Sequence, residues 1–95
     1  MPAYVIVEVA VYNQNEMEEY RTLVPATIRA FDGKFLVRGG QTTLLEGGWD
    51  PERIVILEFP NVERAKSWWL SAIYAGPKLL RQKAGKTKMI LVEGV

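Results

Sequence analysis

The sequence predicts one α+β domain with the element order β-α-β-β-α-β, and three observations support this. The 95 residues are enough for one domain but not for two. Runs rich in β-branched and aromatic residues occur near both ends of the chain and in its middle. Between them lie two segments whose apolar residues recur at helical spacing. This order is the ferredoxin-like arrangement, in which a four-stranded antiparallel sheet carries its helices on one face. We therefore assign residues 1–95 to a single ferredoxin-like domain.

The first strand and the first helix follow from the residue types near the N-terminus. Residues 3–11 alternate among β-branched and aromatic types, which is typical of a strand. Asn15 is the predicted N-cap of the helix that follows. Pro25 lies inside the helical pattern and removes a backbone hydrogen bond, so we expect the helix to kink or to end its regular part near Leu23.

Two further strands are predicted in the middle of the chain. One is expected in two pieces, residues 34–38 and 41–46, because Gly39 and Gly40 interrupt it. The two glycines permit positive φ angles and suit a bulge that bends the strand and re-aims its neighbours. A glycine-rich turn separates this strand from the next, which is predicted at residues 53–59.

A second helix and a last strand complete the pattern. Asn61 is the predicted N-cap, Gly76-Pro77 is predicted to break the helix, and the last strand is expected at residues 88–93. Trp68 lies off the core-facing side of this helix, so we expect it to face a pocket, a partner or solvent. The residues predicted to share the core-facing side are Val62, Ala65, Trp69, Ala72 and Ile73.

Apolar residues occupy both faces of the predicted sheet. In the third strand, Ile54 and Ile56 lie on one face, whereas Val55 and Leu57 lie on the other. An antiparallel sheet with helices on one side normally alternates apolar and polar residues. A second copy packed sheet against sheet would cover the remaining face, since each buried Val, Leu or Ile contributes roughly 1.5–3 kcal/mol. We therefore expect a homodimer, and the alternative is a monomer with a modest apolar patch.

The composition excludes several classes of function. The chain has no cysteine and no histidine, which excludes disulfides, thiolate chemistry, His-ligated haem and the usual zinc sites. No acidic cluster has metal-ligand spacing and no glycine-rich loop opens a helix, so we expect neither a metal nor a cofactor.

The net charge of +1 gives no basic face for nucleic acid. No apolar run has the roughly 20 residues of a membrane span, and the N-terminus lacks the basic region of a signal peptide. We expect no membrane contact and a cytoplasmic location.

Several stretches make the chain resemble a known family. They are "GKFLVRGG" at residues 33–40, "LLEGGWDPERIVILEFP" ending at Pro60, "ERAKSWWLSAIY" at residues 63–74, Arg81 and the terminal "ILVEGV". The chain is identified by them as a member of the domain-of-unknown-function family numbered 1330, within the dimeric α/β-barrel superfamily. The resemblance implies a ferredoxin-like subunit and a homodimer whose sheets form a barrel. Some members of the superfamily are small monooxygenases or isomerases, and others bind haem. The family supplies no catalytic residue.

Four side chains are the candidate ligand-binding residues. Arg38 precedes the paired glycines, and we interpret it as turned into a cavity, where it would hold a carboxylate or an oxyanion. One alternative is that it pairs with an acid such as Glu46 across the bend, and another is an RNA-binding RGG tract, which would need repetition that the chain lacks. Tyr74 and Arg81 flank the predicted helix break, and with Trp68 they would bind a polar head and cover an apolar body. Alternatively these residue types anchor the dimer interface.

Three side chains are candidates for moving a proton. Glu8 and Glu58 are acids within apolar strands, and either one, buried alone, would have a raised pKa and would serve as a base. We favour instead their pairing with Arg53 or Arg38. Tyr20 falls on the apolar face of the first helix and is expected in the core, with its hydroxyl at an edge.

Two hypotheses for the function follow. In the first, an uncharacterised homodimeric α/β-barrel protein binds a small organic molecule with a carboxylate or carbonyl group in a pocket between sheet and helices. A reaction there would be a cofactor-free isomerisation or oxygenation, with an arginine stabilising an enolate-like charge. In the second, the protein is a non-catalytic assembly protein whose tryptophans and arginines serve the dimer interface. The sequence leaves the presence of catalysis open.

Overall fold

The computed structural model describes residues 1–95 and has the predicted ferredoxin-like α+β fold. All neighbouring strands are antiparallel, and their order across the sheet is β2-β3-β1-β4. None of the three helices combines the length and the apolar character that crossing a membrane requires. The elements are β1 (Ala3–Val11), α1 (Gln14–Arg29), β2 (Lys34–Arg38), β3 (Ile54–Phe59), α2 (Val62–Leu70), α3 (Ala72–Ala84) and β4 (Gly85–Glu93).

The helices cover one face of the sheet, and the core lies between them and the strands. In β1, Val5, Val7 and Val9 are buried beneath the helices, whereas the intervening side chains are partly exposed on the other face. Aromatic rings from β3, α2 and α3 fill the centre of this core. The largest fully buried side chains are Trp68, Tyr74, Phe59 and Ile28.

The opposite face of the sheet, called the open face below, carries no helix. The strand register aligns Val37, Ile56, Ile6 and Ile90 in one row across all four strands. Ile90 is 61% exposed in the single chain. The prediction that apolar residues occupy both faces of the sheet is therefore confirmed.

Asparagine side chains start α1 and α2. Asn61 caps α2 as predicted, because its Oδ1 accepts a hydrogen bond from the backbone N–H of Arg64 at 2.8 Å. In α1 the cap is Asn13 and not the predicted Asn15, and its Oδ1 accepts from the backbone N–H of Glu16 at 3.0 Å. Asn13 has the extended backbone of an N-cap, so the helix starts directly after it.

Pro25 does not end α1, which continues to Arg29 and passes the predicted boundary near Leu23. Proline lacks the N–H group that would bond to the carbonyl of Arg21, one helical turn earlier. The Nη2 of Arg38 supplies a substitute donor to that carbonyl at 3.1 Å. The helix tolerates the proline because a side chain from the sheet satisfies the freed acceptor.

Ser71 divides the predicted second helix into α2 and α3, so the predicted break at Gly76-Pro77 is wrong. The Oγ of Ser71 accepts from the N–H of Tyr74 at 3.2 Å and donates to the carbonyl oxygen of Trp68 at 2.7 Å. One residue thus provides partners for a carbonyl at the C-terminal end of α2 and for an N–H at the N-terminal end of α3. The break also resets the helical phase, and Ile73, predicted to face the core, is 51% exposed.

The chain leaves the sheet between β2 and β3. The predicted second strand piece at residues 41–46 is absent, and residues 39–53 contain no strand. β2 lies at an edge of the sheet and pairs only with β3. Arg38 already pairs with Val55, next to the first residue of β3, so a continuation of β2 beyond its end would find almost no β3 residue to pair with.

Candidate functional site

A cavity of about 50 Å³ lies between the sheet and the helices, where the sequence predicted a pocket. Most of its wall is apolar and comes from β1, β3, α1 and α2. No aspartate or glutamate lines it. The cavity therefore combines apolar surface with positive charge, which suits an organic anion. The charged residues on its wall are Arg21, Arg38, Arg53 and Arg81.

A bulge in β2 turns Arg38 toward the cavity. Leu36 is the extra residue, since Phe35 pairs with Leu57 of β3 and Val37 pairs with the next residue along that strand. Phe35 and Arg38 consequently share the helix-covered face. Regular alternation along β2 would instead place Arg38 on the same face as Leu36. The predicted position of the bulge, at the glycines, is wrong.

Arg38 has no acidic partner. Its Nη2 bonds to the carbonyl of Arg21, and its guanidinium carbon lies 4.3 Å from the centre of the Phe35 ring. None of the salt bridges involves it, so the alternative pairing with Glu46 is not formed. The guanidinium is held in place while its charge stays uncompensated by protein.

Arg53 completes a group of three guanidinium ions at the β2 edge, called the arginine cluster below (Arg21, Arg38 and Arg53). Its Nη2 donates to the carbonyl of Arg38 at 3.4 Å. Burial, followed by the positive charges of Arg21 and Arg38, lowers the pKa of Arg53 below its ordinary value. Glu18 is bonded to Arg21 and is the one acid that opposes these effects. The cluster thus has an excess of positive charge that an anion would offset.

Gly39 makes room for this arrangement, and replacing it is expected to disturb the arginine cluster. Its φ is +74°, and a Cβ there would lie 2.1 Å from Nη1 of Arg53. Gly39→Ala is expected to lower the free energy of unfolding by about 1–2 kcal/mol, measured by urea denaturation. In the matched control Gly40→Ala, a Cβ meets nothing within 4 Å, and the change should stay within about 0.5 kcal/mol. Equal losses in the two variants would contradict the proposed role of Gly39.

Arg81 lies at the opposite end of the cavity and is 3% exposed. Its Nε donates to the hydroxyl of Tyr74 at 3.2 Å, and its Nη1 donates to Oγ1 of Thr87. The Tyr74 hydroxyl is 2.9 Å from that of Tyr20. No carboxylate pairs with Arg81. A buried cation that has only neutral partners favours the binding of a negative charge beside it.

The phenol of Tyr20 is held in its protonated form. Burial is the main cause that raises the pKa of Tyr20 above its ordinary value, and the nearby Arg81 guanidinium opposes this effect only in part. Tyr20 lines the cavity, whereas Tyr74 does not line it and is hydrogen-bonded to two residues that do, Tyr20 and Arg81. A protonated phenol donates hydrogen bonds and is unsuited to abstracting a proton at neutral pH.

The two adjacent tryptophans have the reverse of their predicted positions. Trp68 is 1% exposed, its ring centre lies 4.1 Å from that of Tyr74, and its Nε1 donates to Oγ1 of Thr27 at 3.1 Å. Trp69, predicted to be in the core, is half-buried, and the ammonium of Lys78 lies 4.1 Å from its ring centre. Trp68 therefore forms an apolar wall of the cavity and part of the core at once.

The two candidate glutamates lie on the open face and do not reach the cavity. Oε2 of Glu58 is 3.2 Å from Nζ of Lys34. Oε2 of Glu8 accepts a hydrogen bond from Nε1 of Trp49 at 3.4 Å. The predicted pairing of these acids with arginines is wrong, since the arginines concerned lie on the helix-covered side. The cavity wall holds no carboxylate that would act as a base.

Arg21 and Arg53 were not proposed as ligand-binding residues from the sequence, although both line the cavity. Arg21 stands four residues before Pro25, which marks its carbonyl as one without a helical donor, but this does not indicate where its side chain lies. Arg53 carried no signal either, because its position depends on the path of residues 39–53.

Solved structures similar to this chain share its fold. A protein of unknown function from Rhodopseudomonas palustris is 16% identical, with 99% of this chain and 82% of that chain covered and a TM-score of 0.76. A dimeric ferredoxin-like protein of unknown function from Jannaschia sp. CCS1 is 11% identical, with 99% and 100% covered and a TM-score of 0.74. SnoaB, a cofactor-independent oxygenase from Streptomyces nogalater, is 13% identical, with 99% and 93% covered and a TM-score of 0.72.

These low identities show a common fold and nothing further. Among curated proteins, no sequence matches the chain significantly. The family model described as Domain of unknown function (DUF1330) matches residues 2–95, nearly the whole chain. The chain therefore belongs to the DUF1330 family, as the resemblance in its sequence implied.

Proposed function

We propose that two copies of this chain form a homodimer and that each subunit binds a small organic anion in the cavity between sheet and helices. The observation that carries the proposal is the cavity wall, where four arginines stand among apolar side chains without an aspartate or glutamate. Arginine binds carboxylates through two parallel hydrogen bonds, which makes a carboxylate the favoured anion.

The arginine cluster is the favoured place for the carboxylate. Arg38 is exposed in the single chain, so a ligand reaches it from solvent. The lowered pKa of Arg53 reflects repulsion within the cluster as well as burial, and an anion would relieve that repulsion. The remainder of the ligand would lie against the apolar wall. With about 50 Å³ of space, the cavity favours a short ligand.

The open face supports the dimer. It carries an apolar row that crosses all four strands and that no element of the same chain covers. A second copy would bury this row by two-fold symmetry. The Jannaschia protein is described as dimeric and has the same fold. Because Arg38 and Arg81 lie on the other side of the sheet, they would serve a ligand and not a sheet-to-sheet interface.

A cofactor-free isomerase or oxygenase activity is the enzymatic form of this proposal. Its support is the similarity to SnoaB and the presence of two oxyanion stabilisers, the Arg81 guanidinium and the Tyr20 phenol. The wall offers no carboxylate, and Tyr20 is protonated, so the described side chains include no general base. Binding is therefore the function that the geometry supports best.

Short carboxylates test this proposal. Valerate is expected to bind the wild-type protein and to raise its melting temperature, whereas the uncharged valeramide is not. Arg38→Gln should weaken valerate binding by about tenfold, the effect of losing one charged hydrogen-bonding partner. Isothermal titration calorimetry and thermal shift measure both quantities.

The matched control is Arg29→Gln, which removes an arginine that is exposed in the last turn of α1 and does not line the cavity. Its valerate affinity should equal that of the wild type. Equal affinity of the Arg38 and Arg29 variants would exclude Arg38 as the carboxylate-binding residue. The anion-binding proposal is wrong if carboxylates and amides stabilise the protein equally.

A further inference from the structure

We infer that the cavity recognises two polar groups on one ligand: a carboxylate at the arginine cluster and a second oxygen acceptor, a carbonyl or an enolate, at Tyr20 and Arg81. This inference rests on the proposed function and names its ligand class, the short oxo-carboxylates. It is carried by the positions of the charged groups and by the hydrogen-bond pattern at the inner end of the cavity.

The two polar ends of the cavity lie toward opposite edges of the sheet. Arg38 belongs to β2, one edge strand, whereas Arg81 is hydrogen-bonded to Thr87 of β4, the other edge strand. Three strand spacings separate these edges, roughly 14 Å. Both arginines line the same cavity of about 50 Å³, so a short molecule with a polar group at each end would reach both.

The hydrogen-bond pattern leaves a donor on Tyr20. Tyr74 is 0% exposed, and its hydroxyl already accepts a hydrogen bond from Nε of Arg81. Its own proton needs an acceptor, and the Tyr20 oxygen at 2.9 Å is the one within reach. Tyr74 therefore donates to Tyr20, and the Tyr20 proton is left without a protein acceptor on the cavity wall.

Arg81 adds a second donor at the same place. Its hydrogen bonds use Nε and Nη1, and neither of them uses Nη2. This end of the cavity offers two hydrogen-bond donors, a phenol proton and a guanidinium N–H. It therefore favours a ligand with a hydrogen-bond acceptor there and repels an ammonium group. A carbonyl oxygen meets this need, and an enolate oxygen meets it better because charge strengthens both hydrogen bonds. The pattern thus selects oxo acids over amino acids of similar length.

The test compares valerate with levulinate, a chain of the same length and charge that carries one keto group. In the wild-type protein, levulinate is expected to bind at least about tenfold more tightly, measured by isothermal titration calorimetry. Tyr20→Phe should abolish most of this advantage, so that levulinate binds the variant about as tightly as valerate does. Tyr12→Phe, the same change at a tyrosine that is 71% exposed, should preserve the advantage.

Infrared spectroscopy of bound levulinate gives a second readout that needs no variant. The keto stretch should move to lower frequency than in water, because two donors polarise the carbonyl. Equal affinities of wild type for levulinate and valerate, or an unshifted keto stretch, would overturn the two-group inference and leave carboxylate binding intact. Failure of both compounds to bind would overturn the proposed function together with the inference.

Discussion

Replacing Trp68 with alanine is expected to lower the free energy of unfolding by about 3–5 kcal/mol, the range for loss of a buried aromatic side chain. Its ring centre lies 4.1 Å from that of Tyr74 and 5.4 Å from that of Phe59, and its Nε1 bonds to Thr27. Folded domains are stable by about 5–15 kcal/mol. The variant should therefore unfold at far lower urea concentrations, as followed by far-UV circular dichroism.

Trp69→Ala is the matched control, since it removes the same side chain from the next residue of α2. Trp69 is half-buried and packs at the edge of the core. Its loss removes less apolar area from the interior, so a clearly smaller fall in the unfolding free energy is expected. A larger loss for the Trp69 variant would restore the assignment that helical periodicity alone suggested.

The exchange of the two tryptophans shows where periodicity fails. One uninterrupted helical pattern from Val62 to Ile73 places Trp69 in the core, and the pattern contains no glycine or proline to end it. The helix nevertheless ends before Ser71, because the serine hydroxyl caps two helices at once. Serine is common in helices as well as at their ends, so its role here depends on the packing of α2 and α3 against the sheet.

At the two prolines the error is the reverse, since a helix continues where the sequence predicted a kink or a break. Pro25 was expected to disturb α1, and the helix continues because Arg38 supplies a donor to the freed carbonyl of Arg21. Such compensation joins residues far apart in the chain. Pro77 likewise lies within α3, which continues past it to Ala84.

The fold and part of the site could be predicted because they depend on residue types and on the spacing of apolar residues along each segment. The order of strands and helices, the apolar character of both sheet faces and the general place of the cavity belong to this class. The orientation of Arg38 was anticipated for the wrong reason. The bulge that turns it lies at Leu36, where the register against β3 shifts. Neither the register of a strand nor the approach of Arg53 to Arg38 can be read from one segment alone.

Ile56→Glu is expected to convert the proposed homodimer into a folded monomer. Ile56 lies on the open face, between Val37 and Ile6 in the apolar row. Sheet-to-sheet packing would bury the new carboxylate against an apolar surface, and a charge buried without a partner costs several kcal/mol. In the single chain the same side chain would face water, so the helix-covered core should be unaffected.

Analytical ultracentrifugation at micromolar concentration measures this outcome directly. The wild type should sediment at about twice 10.8 kDa, and the Ile56→Glu variant at the monomer mass with an unchanged circular dichroism spectrum. Leu79→Glu is the control, since Leu79 is 68% exposed on α3, away from the sheet. It should remain dimeric. A monomeric wild type would refute the dimer but not the cavity, because the four arginines on its wall all come from one chain. The proposed ligand binding therefore does not depend on the proposed dimer, and each proposal has its own test.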